Sequence, residues 1–538
     1  MRARALVLGS ALAVCFCLLC AGQIGFERQS GPNQPNQVRT LSGTVVNSVT
    51  GEPIPRALVR ILTNPPAAAM TGPDGHFDIR NVPANQTVGV FTERPGYGSG
   101  NGLQQSQMAS PGENNITIKL VPQGGIQGHV ADDEGQPIEG IQVQAISEQI
   151  VAGRKQERPV STTSTGGDGE YEIDGLAPGA YFVKTMLHPL YWIPVPLPAA
   201  EQAYPGEFYP DAPDQSGAQT LPVLPGQTAE ADFTLKPVRT FRITGTLAGV
   251  GSGQPASVTL KRPDRVRLSI PIRVNWRTGQ FSLLSVPAGS YTLEFRTYPR
   301  PHMDSFYAEQ QMDVHANVTG LQIAGQPLAP SPVNVVRPPT SDAGNGSPRV
   351  RSSVQIQLIA HNNDPGNNGY WGINSQQQPS TPGTLEIRGV PPGSYHVAVH
   401  TYGSECLDTI SSGSTDLTSQ DLTVSAGAAP QPITVTLRND CATLGGTVNA
   451  QGHTAPVQVL VVPDSGAAEP HVINTAPGSQ FSVTGLRPGD YRIYAFSTLD
   501  GLEYTNPDAL RDFDAQEITL SANEKAGVTL DLIVRGNQ

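Results

Sequence analysis

The sequence predicts an all-β protein, organised as a tandem array of about five antiparallel β-sandwich modules that follow a signal peptide. Short runs in which Val, Thr, Ile, Tyr or Phe alternate with polar residues are separated by turn residues, and Gly (57) and Pro (49) are both abundant. A chain of 538 residues is too long for one hydrophobic core. A motif that recurs about every hundred residues matches the size of one sandwich domain.

This turn motif consists of a turn ending in Gly or Ser, an alternating strand, a Pro-Gly turn, and a second strand that opens with Tyr. Its five copies lie at residues 75–83, 169–181, 279–291, 383–395 and 479–491. In the first copy, residues 84–87 replace the Pro-Gly turn. Pro presets φ and Gly accepts a positive φ, so each copy is predicted to form a β-hairpin with one core-facing side.

A second motif, the opening strand, begins most modules with an alternating run around Gly, at residues 41–45, 126–130, 243–247 and 444–448. In the fourth module this motif is obscured. Alternating closing strands at residues 115–120, 231–235, 433–437 and 528–532 precede boundaries or the end of the chain. The predicted modules are 38–122 (module 1), 123–237 (module 2), 238–327 (module 3), 328–440 (a linker plus module 4) and 441–538 (module 5).

Two segments have the composition of linkers. Residues 23–37 are rich in Gln, Asn, Gly and Pro, and residues 327–348 mix Pro, Ser, Gly and Asn without an apolar period. We therefore interpret both segments as linkers.

The first 22 residues indicate export. A basic start is followed by an apolar run and by small residues before Gln23, which is typical of a secretory signal peptide. A lipoprotein anchor at Cys20 is less favoured, because Leu19 stands where a lipidation box has a small residue. We expect an exported protein, whether secreted, periplasmic or at the cell surface, with no transmembrane segment after the signal is removed.

Two cysteines follow this leader, Cys406 and Cys441. In an exported chain two cysteines pair more often than they stay free, which predicts a disulfide. The alternative is a pair of buried thiols.

The opening strand, the Gly-aromatic strand and the Pro-Gly-Xaa-Tyr turn together resemble the carboxypeptidase regulatory-like domain, best in modules 1 and 2. That family is a transthyretin-like sandwich related to the carbohydrate-binding-like fold. The resemblance implies about seven antiparallel strands per module. In carboxypeptidases the domain accompanies a zinc peptidase domain, whose metal-binding pattern does not occur in this sequence.

No pattern in the sequence predicts catalysis, so we expect no enzyme activity, no metal site and no cofactor. His396 and His400 lie four apart on a predicted strand, about 13 Å from each other, too far for one ion. A net charge of -12 and only six scattered lysines argue against nucleic-acid binding.

Five aromatic residues in long segments between strands are the candidate ligand-stacking residues: Tyr191, Trp192, Tyr209, Tyr370 and Trp371. A flat ring in such a segment can stack on a sugar face. The alternative interpretation is that these rings pack against the sandwich.

Repetition without recognisable chemistry favours a non-catalytic exported interaction or scaffold protein, with a polysaccharide or an envelope or extracellular protein as partner. A carbohydrate-binding protein that uses its aromatic loops is the second hypothesis. A set of accessory domains of an unrecognised hydrolase is the third.

Overall fold

The computed structural model confirms the all-β prediction: the described residues form 41 strands and two short 3₁₀ helices. The description covers residues 38–535 except 62, 64–65, 85–87, 99–104, 110–111, 190–201, 249–253, 255, 264–265, 299–302, 339–352, 361–369, 375–384, 404, 426, 451–452, 454–455, 465–468 and 476–477. The predicted signal peptide, Cys20 and the linker 23–37 lie outside the described residues.

Module 1 contains two facing sheets. Its strands are β1 (Val38–Asn47), β2 (Leu58–Ile61), β3 (Ala67–Met70), β4 (His76–Pro83), β5 (Val88–Glu93), β6 (Gln105–Ala109) and β7 (Asn115–Leu120). The strand orders are β4-β1-β7 and β3-β2-β5-β6.

Module 2 repeats this plan with longer strands. Its elements are β8 (Gly124–Asp132), β9 (Gln142–Val151), β10 (Arg154–Ser164), β11 (Glu170–Leu176), β12 (Gly179–Thr185), β13 (His188–Pro189), β14 (Gln202–Tyr204), the first 3₁₀ helix (Gln215–Gly217), β15 (Leu221–Val223), β16 (Thr228–Glu230) and β17 (Phe233–Leu235). One sheet has the order β10-β9-β12-β15, and the other has β11-β8-β16 with β17 also on β8.

Module 3 shares a sheet with the end of module 2. Its strands are β18 (Val238–Ala248), β19 (Ala256–Lys261), β20 (Ile272–Asn275), β21 (Gln280–Pro287), β22 (Gly289–Thr297), β23 (Ser305–Val314), β24 (Val318–Ala324) and β25 (Gln326–Leu328). The shared sheet has the order β13-β14-β18-β21-β20, with β24 also on β18, and the second sheet is β19-β22-β23-β25.

Module 4 again has two sheets. Its strands are β26 (Ser331–Val336), β27 (Ser353–Ala360), β28 (Tyr370–Asn374), β29 (Leu385–Ile387), β30 (Gly393–Tyr402), β31 (Cys406–Ser412), β32 (Thr415–Asp416), β33 (Leu422–Val424) and β34 (Ile433–Arg438). The strand orders are β29-β26-β34-β31-β32 and β28-β27-β30-β33.

Module 5 joins its two layers into one seven-stranded sheet, β37-β36-β39-β41-β35-β38 with β40 on β39. The elements are β35 (Ala442–Asn449), β36 (Val457–Pro463), β37 (His471–Thr475), β38 (Gln480–Leu486), β39 (Gly489–Phe496), the second 3₁₀ helix (Pro507–Leu510), β40 (Gln516–Leu520) and β41 (Lys525–Ile533). The layers are joined because the end of β41 also pairs with β39.

Each predicted module surrounds its own cluster of buried apolar side chains. Alternation explains these cores: in β4, Phe77 and Ile79 are buried while Asp78 between them is exposed. Module 5 has a second, smaller cluster under the loop 499–513, built on Leu499, Leu502 and Leu510.

Most neighbouring strands are antiparallel, as expected, but each opening strand pairs in parallel with its closing strand. In module 1, for example, β1 lies between antiparallel β4 and parallel β7. The corresponding pairs of opening and closing strands in the other modules are β8–β16 and β8–β17, β18–β24, β26–β34 and β35–β41. A parallel pair is possible here because the rest of the module provides the long crossover that it requires.

The glycine of the opening strand lies under an aromatic ring. Gly43 pairs directly with Phe77, and a Cβ atom added at Gly43 would lie 2.7 Å from that ring. The same crossing recurs between Gly128 and Tyr171, Gly245 and Phe281, and Gly446 and Phe481. The glycine therefore lets a buried ring lie flat across the strand.

The prediction of a hairpin in each turn motif is wrong. The strands on either side of the Pro-Gly turn lie in different sheets in modules 1 to 4, for example β11 and β12, and are not direct neighbours in module 5. The turn is thus an arch that carries the chain from one layer to the other. Alternation could not reveal this, because both strands bury one face in the same core whether they pair or face each other.

Two local features build the arch. The tyrosine after the turn is buried and donates its hydroxyl hydrogen bond to the carbonyl four residues earlier. The pairs are Tyr181–Ala177 (2.6 Å), Tyr291–Pro287 (3.1 Å), Tyr395–Pro391 (2.7 Å) and Tyr491–Arg487 (2.7 Å). Before the turn, every copy has one residue at positive φ: Asn81 (62°), Gly175 (73°), Ser285 (58°), Gly389 (72°) and Gly485 (77°).

The predicted linker 327–348 is also wrong in part, because Ser331–Val336 form the opening strand of module 4. Strand β26 pairs antiparallel with β29 and parallel with β34, as the opening strands of the other modules do. Val333 and Leu385 take the positions that Gly and an aromatic residue occupy elsewhere. Without a ring to accommodate, this strand has no glycine, which is why its signature was obscured.

Candidate functional site

Two of the predicted stacking residues pack against cores. Tyr209 is half-buried and lies edge-on to Phe233, with ring centroids 6.2 Å apart. Trp371 is half-buried and lies edge-on to Tyr395, with centroids 5.4 Å apart. Both rings contact the hydrophobic cluster of their module. For these two residues the packing interpretation fits the structure.

The side chains of the other three lie outside the description. Tyr191 and Trp192 lie outside the described residues. Tyr370 is the first residue of β28, where its backbone pairs with Ile359, and its side chain also lies outside the description.

Cys406 and Cys441 form a disulfide, with their Cα atoms 5.9 Å apart. Cys406 is fully buried at the start of β31, and Cys441 immediately precedes β35. The bond therefore fastens module 4 to the first residue of module 5.

A polar cleft of about 780 Å³ lies between modules 3 and 4. Its floor is the outer face of β19, β22 and β23, and its wall includes the turn at residues 391–394. On the floor, Lys261 and Glu294 form an ion pair at 2.8 Å, with side chains only 14% and 10% exposed. Tyr307 donates a hydrogen bond to Glu309 at 2.8 Å, and burial raises the pKa of the Tyr307 hydroxyl. Lys261, Glu294 and Glu309 thus have partners within the cleft itself, whereas Arg262 donates to the Pro213 carbonyl outside it.

A second cleft, of about 300 Å³, lies where modules 2, 4 and 5 meet. Arg154 of module 2 contacts the Glu469 carboxylate of module 5 at 2.7 Å, and His396 Nε2 of module 4 lies 3.2 Å from the same oxygen. Burial alone would raise the pKa of Glu469. The hydrogen bond from His396 and the charge of Arg154 outweigh it and lower this pKa to about 2. Glu469 is therefore a stable anion between two basic side chains.

Backbone contacts reinforce this junction. The Gly153 carbonyl accepts hydrogen bonds from the Thr505 hydroxyl at 2.6 Å and from the Thr505 N–H at 3.3 Å. The ring of Tyr504 lies so close over Gly153 that an added Cβ would be 2.5 Å from it. Module 2 thus meets module 5 through both charge and shape.

Sequence reasoning missed both clefts. Arg154 and Glu469 are 315 residues apart, and no local pattern connects them. Lys261 and Glu294 lie on neighbouring strands and could have been matched only with the register known. Of the two histidines considered as metal ligands, His396 serves as the partner of Glu469.

In the part of the chain that the structure describes, no group of three or more His, Cys, Asp or Glu side chains is arranged to hold a metal ion. None of the described helices has the length and apolar character needed to cross a membrane.

The family model of the carboxypeptidase regulatory-like domain matches residues 40–121 and 125–186, which confirms the resemblance of modules 1 and 2. No curated protein matches the sequence.

Three solved structures are similar to parts of the chain. The TIE protein of Bacillus anthracis is 12% identical over 93% of this chain and 66% of its own, with a TM-score of 0.16. The major pilin subunit BcpA of Bacillus cereus is 10% identical over 76% and 99%, with a TM-score of 0.13. A streptococcal ancillary pilin is 9% identical over 54% and 99%, with a TM-score of 0.19. The chain spans just under two thirds of the Bacillus anthracis protein, and TM-scores this low do not indicate a shared global arrangement.

Proposed function

We propose, from the two tandem carboxypeptidase regulatory-like domains that the chain contains, that the protein is a non-catalytic exported scaffold. Its five sandwich modules would have boundaries near residues 122, 237, 327 and 440, between the buried clusters. Its partner would be an envelope or extracellular protein.

The structural role of the recurring residues is the main support for this proposal. A repeated residue can mark either a repeated site or a repeated fold. Here the opening glycines lie beneath aromatic rings, and the arch tyrosines are buried with their hydroxyls bonded to the backbone. Repetition in this chain therefore serves packing.

The clefts support the same function. Each cleft contains an ion pair, Lys261–Glu294 between strands in the first and Arg154–Glu469 between modules in the second. Such pairs hold two surfaces together, whereas a catalytic side chain must be accessible to its substrate. These side chains fit a role in fixing the modules relative to one another.

Export is supported by the disulfide between Cys406 and Cys441, because such bonds persist in oxidising compartments. A protein partner is supported by open sheet edges. Among the described strands, β10 pairs with β9 on one side only, and an extended segment of another protein can pair with such an edge.

Affinity capture with the mature chain tests the proposal. The immobilised protein is incubated with the exported protein fraction of its source cells, with purified polysaccharides, and with peptide, ester and glycoside substrates. We expect saturable retention of one or a few proteins and no turnover. Retention of polysaccharide alone, or consumption of a substrate in proportion to protein added, would reject the scaffold.

A further inference from the structure

The contact between modules 2 and 5 involves the tip of a rigid hairpin. Strands β9 and β10 are joined by two residues, Ala152 and Gly153, both at positive φ (51° and 73°). Two-residue turns of this kind match the twist of the strands that they join. The turn therefore holds the Gly153 carbonyl and the Arg154 side chain in fixed positions at the end of module 2.

Module 5 offers a preformed socket for this tip. Tyr504 and Thr505 lie in the loop that packs on the small cluster around Leu499, Leu502 and Leu510. Asn506 caps the 3₁₀ helix that follows by accepting a hydrogen bond from the Asp508 N–H at 3.1 Å. The loop is thus anchored from beneath, and its hydroxyl and ring face the hairpin.

Module 4 also contributes to the socket. His396 reaches Glu469 from β30, and the disulfide fastens module 4 to the start of module 5. The hairpin of module 2 therefore docks against two modules that are covalently tied to each other.

We propose that Arg154, Glu469 and Thr505 form an intrachain clasp that holds the array folded back, with module 2 against modules 4 and 5, and that opens when its charges are screened. The clasp is built for reversibility. Its ion-pair side chains are partly exposed, at 35% for Arg154, 23% for Glu469 and 28% for His396, so salt reaches them. Module 3 connects module 2 to module 4 and so keeps the two sides of the clasp close together when it is open. This proximity favours its closing again.

Small-angle scattering of the full mature chain tests the clasp. In low salt we expect a compact particle, and in about 1 M salt, where the Debye length is only about 3 Å, a larger radius of gyration. Arg154→Ala should enlarge the radius by roughly 10% or more already in low salt. Arg158→Ala is the matched control, because Arg158 lies on the same strand and, among the described residues, its side chain donates to Gln156, two residues away. Profiles that coincide for wild type and Arg154→Ala at every salt concentration would overturn the proposal.

Carbodiimide cross-linking gives a second readout that does not depend on disrupting the contact. Arg154→Lys places an amine beside the Glu469 carboxylate, and we expect an intramolecular cross-link between these positions in low salt that disappears in high salt. Lys155 and Glu148, 2.7 Å apart within module 2, provide the reagent control in the same sample. Formation of the control cross-link in low salt without the link from 154 to 469 would refute the clasp.

Discussion

Gly446 lies directly opposite Phe481, and a Cβ atom at Gly446 would be 2.8 Å from the Phe481 ring and would overlap the carbonyl oxygen of Val528. The opening strand of module 5 is thus squeezed between a ring on one side and the closing strand on the other. In modules 1, 2 and 3 the glycine of the opening strand likewise lies between an aromatic ring and the closing strand.

Gly446→Ala should therefore destabilise module 5 by about 1–3 kcal/mol, because β41 or the ring must move to admit a methyl group. Gly527→Ala is the matched control on the neighbouring strand, since a Cβ there would meet nothing within 4 Å. Urea denaturation of the full chain checks both variants. Equal losses from the two substitutions would contradict the close contact at Gly446.

Tyr395→Phe should destabilise module 4 by about 1–2 kcal/mol, because the buried Pro391 carbonyl loses the hydrogen bond that it accepts from Tyr395. Tyr402→Phe on the same strand should change stability by less than about 0.5 kcal/mol, since the Tyr402 side chain is well exposed. Thermal unfolding compares the two. An unchanged midpoint for Tyr395→Phe would show that the hydroxyl does not hold the arch.

Ser285→Gly should stabilise module 3 by about 0.5–1 kcal/mol. A non-glycine residue at positive φ destabilises the folded state by about 1–2 kcal/mol, and glycine removes this strain. The greater conformational freedom of glycine in the unfolded chain offsets only part of the gain. Three of the other modules already have glycine at the equivalent arch position. Ser282→Gly, within the regular part of β21, should instead destabilise the module. A loss of stability in the Ser285 variant would contradict the strain at this position.

Acid should weaken the junction through Glu469. Its lowered pKa means that the ionised group stabilises the folded chain above its ordinary value of 4.5, and that this contribution is lost as the pH falls from 4.5 towards 2. The groups that face it are Arg154, His396 and Tyr504. Glu469→Gln should cost about 1–2 kcal/mol near neutral pH, after allowance for solvent screening, and progressively less below pH 4.5. Parallel stability curves for wild type and variant from pH 6 to pH 3 would refute this assignment.

The sequence predicted the β content and the buried faces because period-two alternation is local, as in Phe77 and Ile79. It did not predict which strands pair. Phe281 and Tyr291 lie in different sheets but pack in the same core. Only the strand pairing shows that an arch rather than a hairpin joins their strands. The opening strand of module 4 was missed because Val333 replaces the glycine by which the other copies were recognised.

The junction is harder to predict because it joins surfaces that are far apart in the chain. Arg154 and Lys155 follow one another on β10, yet Lys155 pairs within module 2 and Arg154 pairs with module 5. Nothing local distinguishes the two. Contacts of this kind depend on how whole modules pack, which side-chain periodicity does not encode.

Hydrogen exchange measured by mass spectrometry on the mature chain tests the five-module architecture most directly. We predict that the amides of residues 331–336 other than Pro332 are protected from exchange, because β26 pairs with β29 over residues 331–333 and with β34 over residues 333–336. Residues 444–447 should be protected more strongly, since they have a partner strand on both sides throughout. Fast exchange at 331–336 beside slow exchange at 444–447 would show that the fourth module lacks its opening strand.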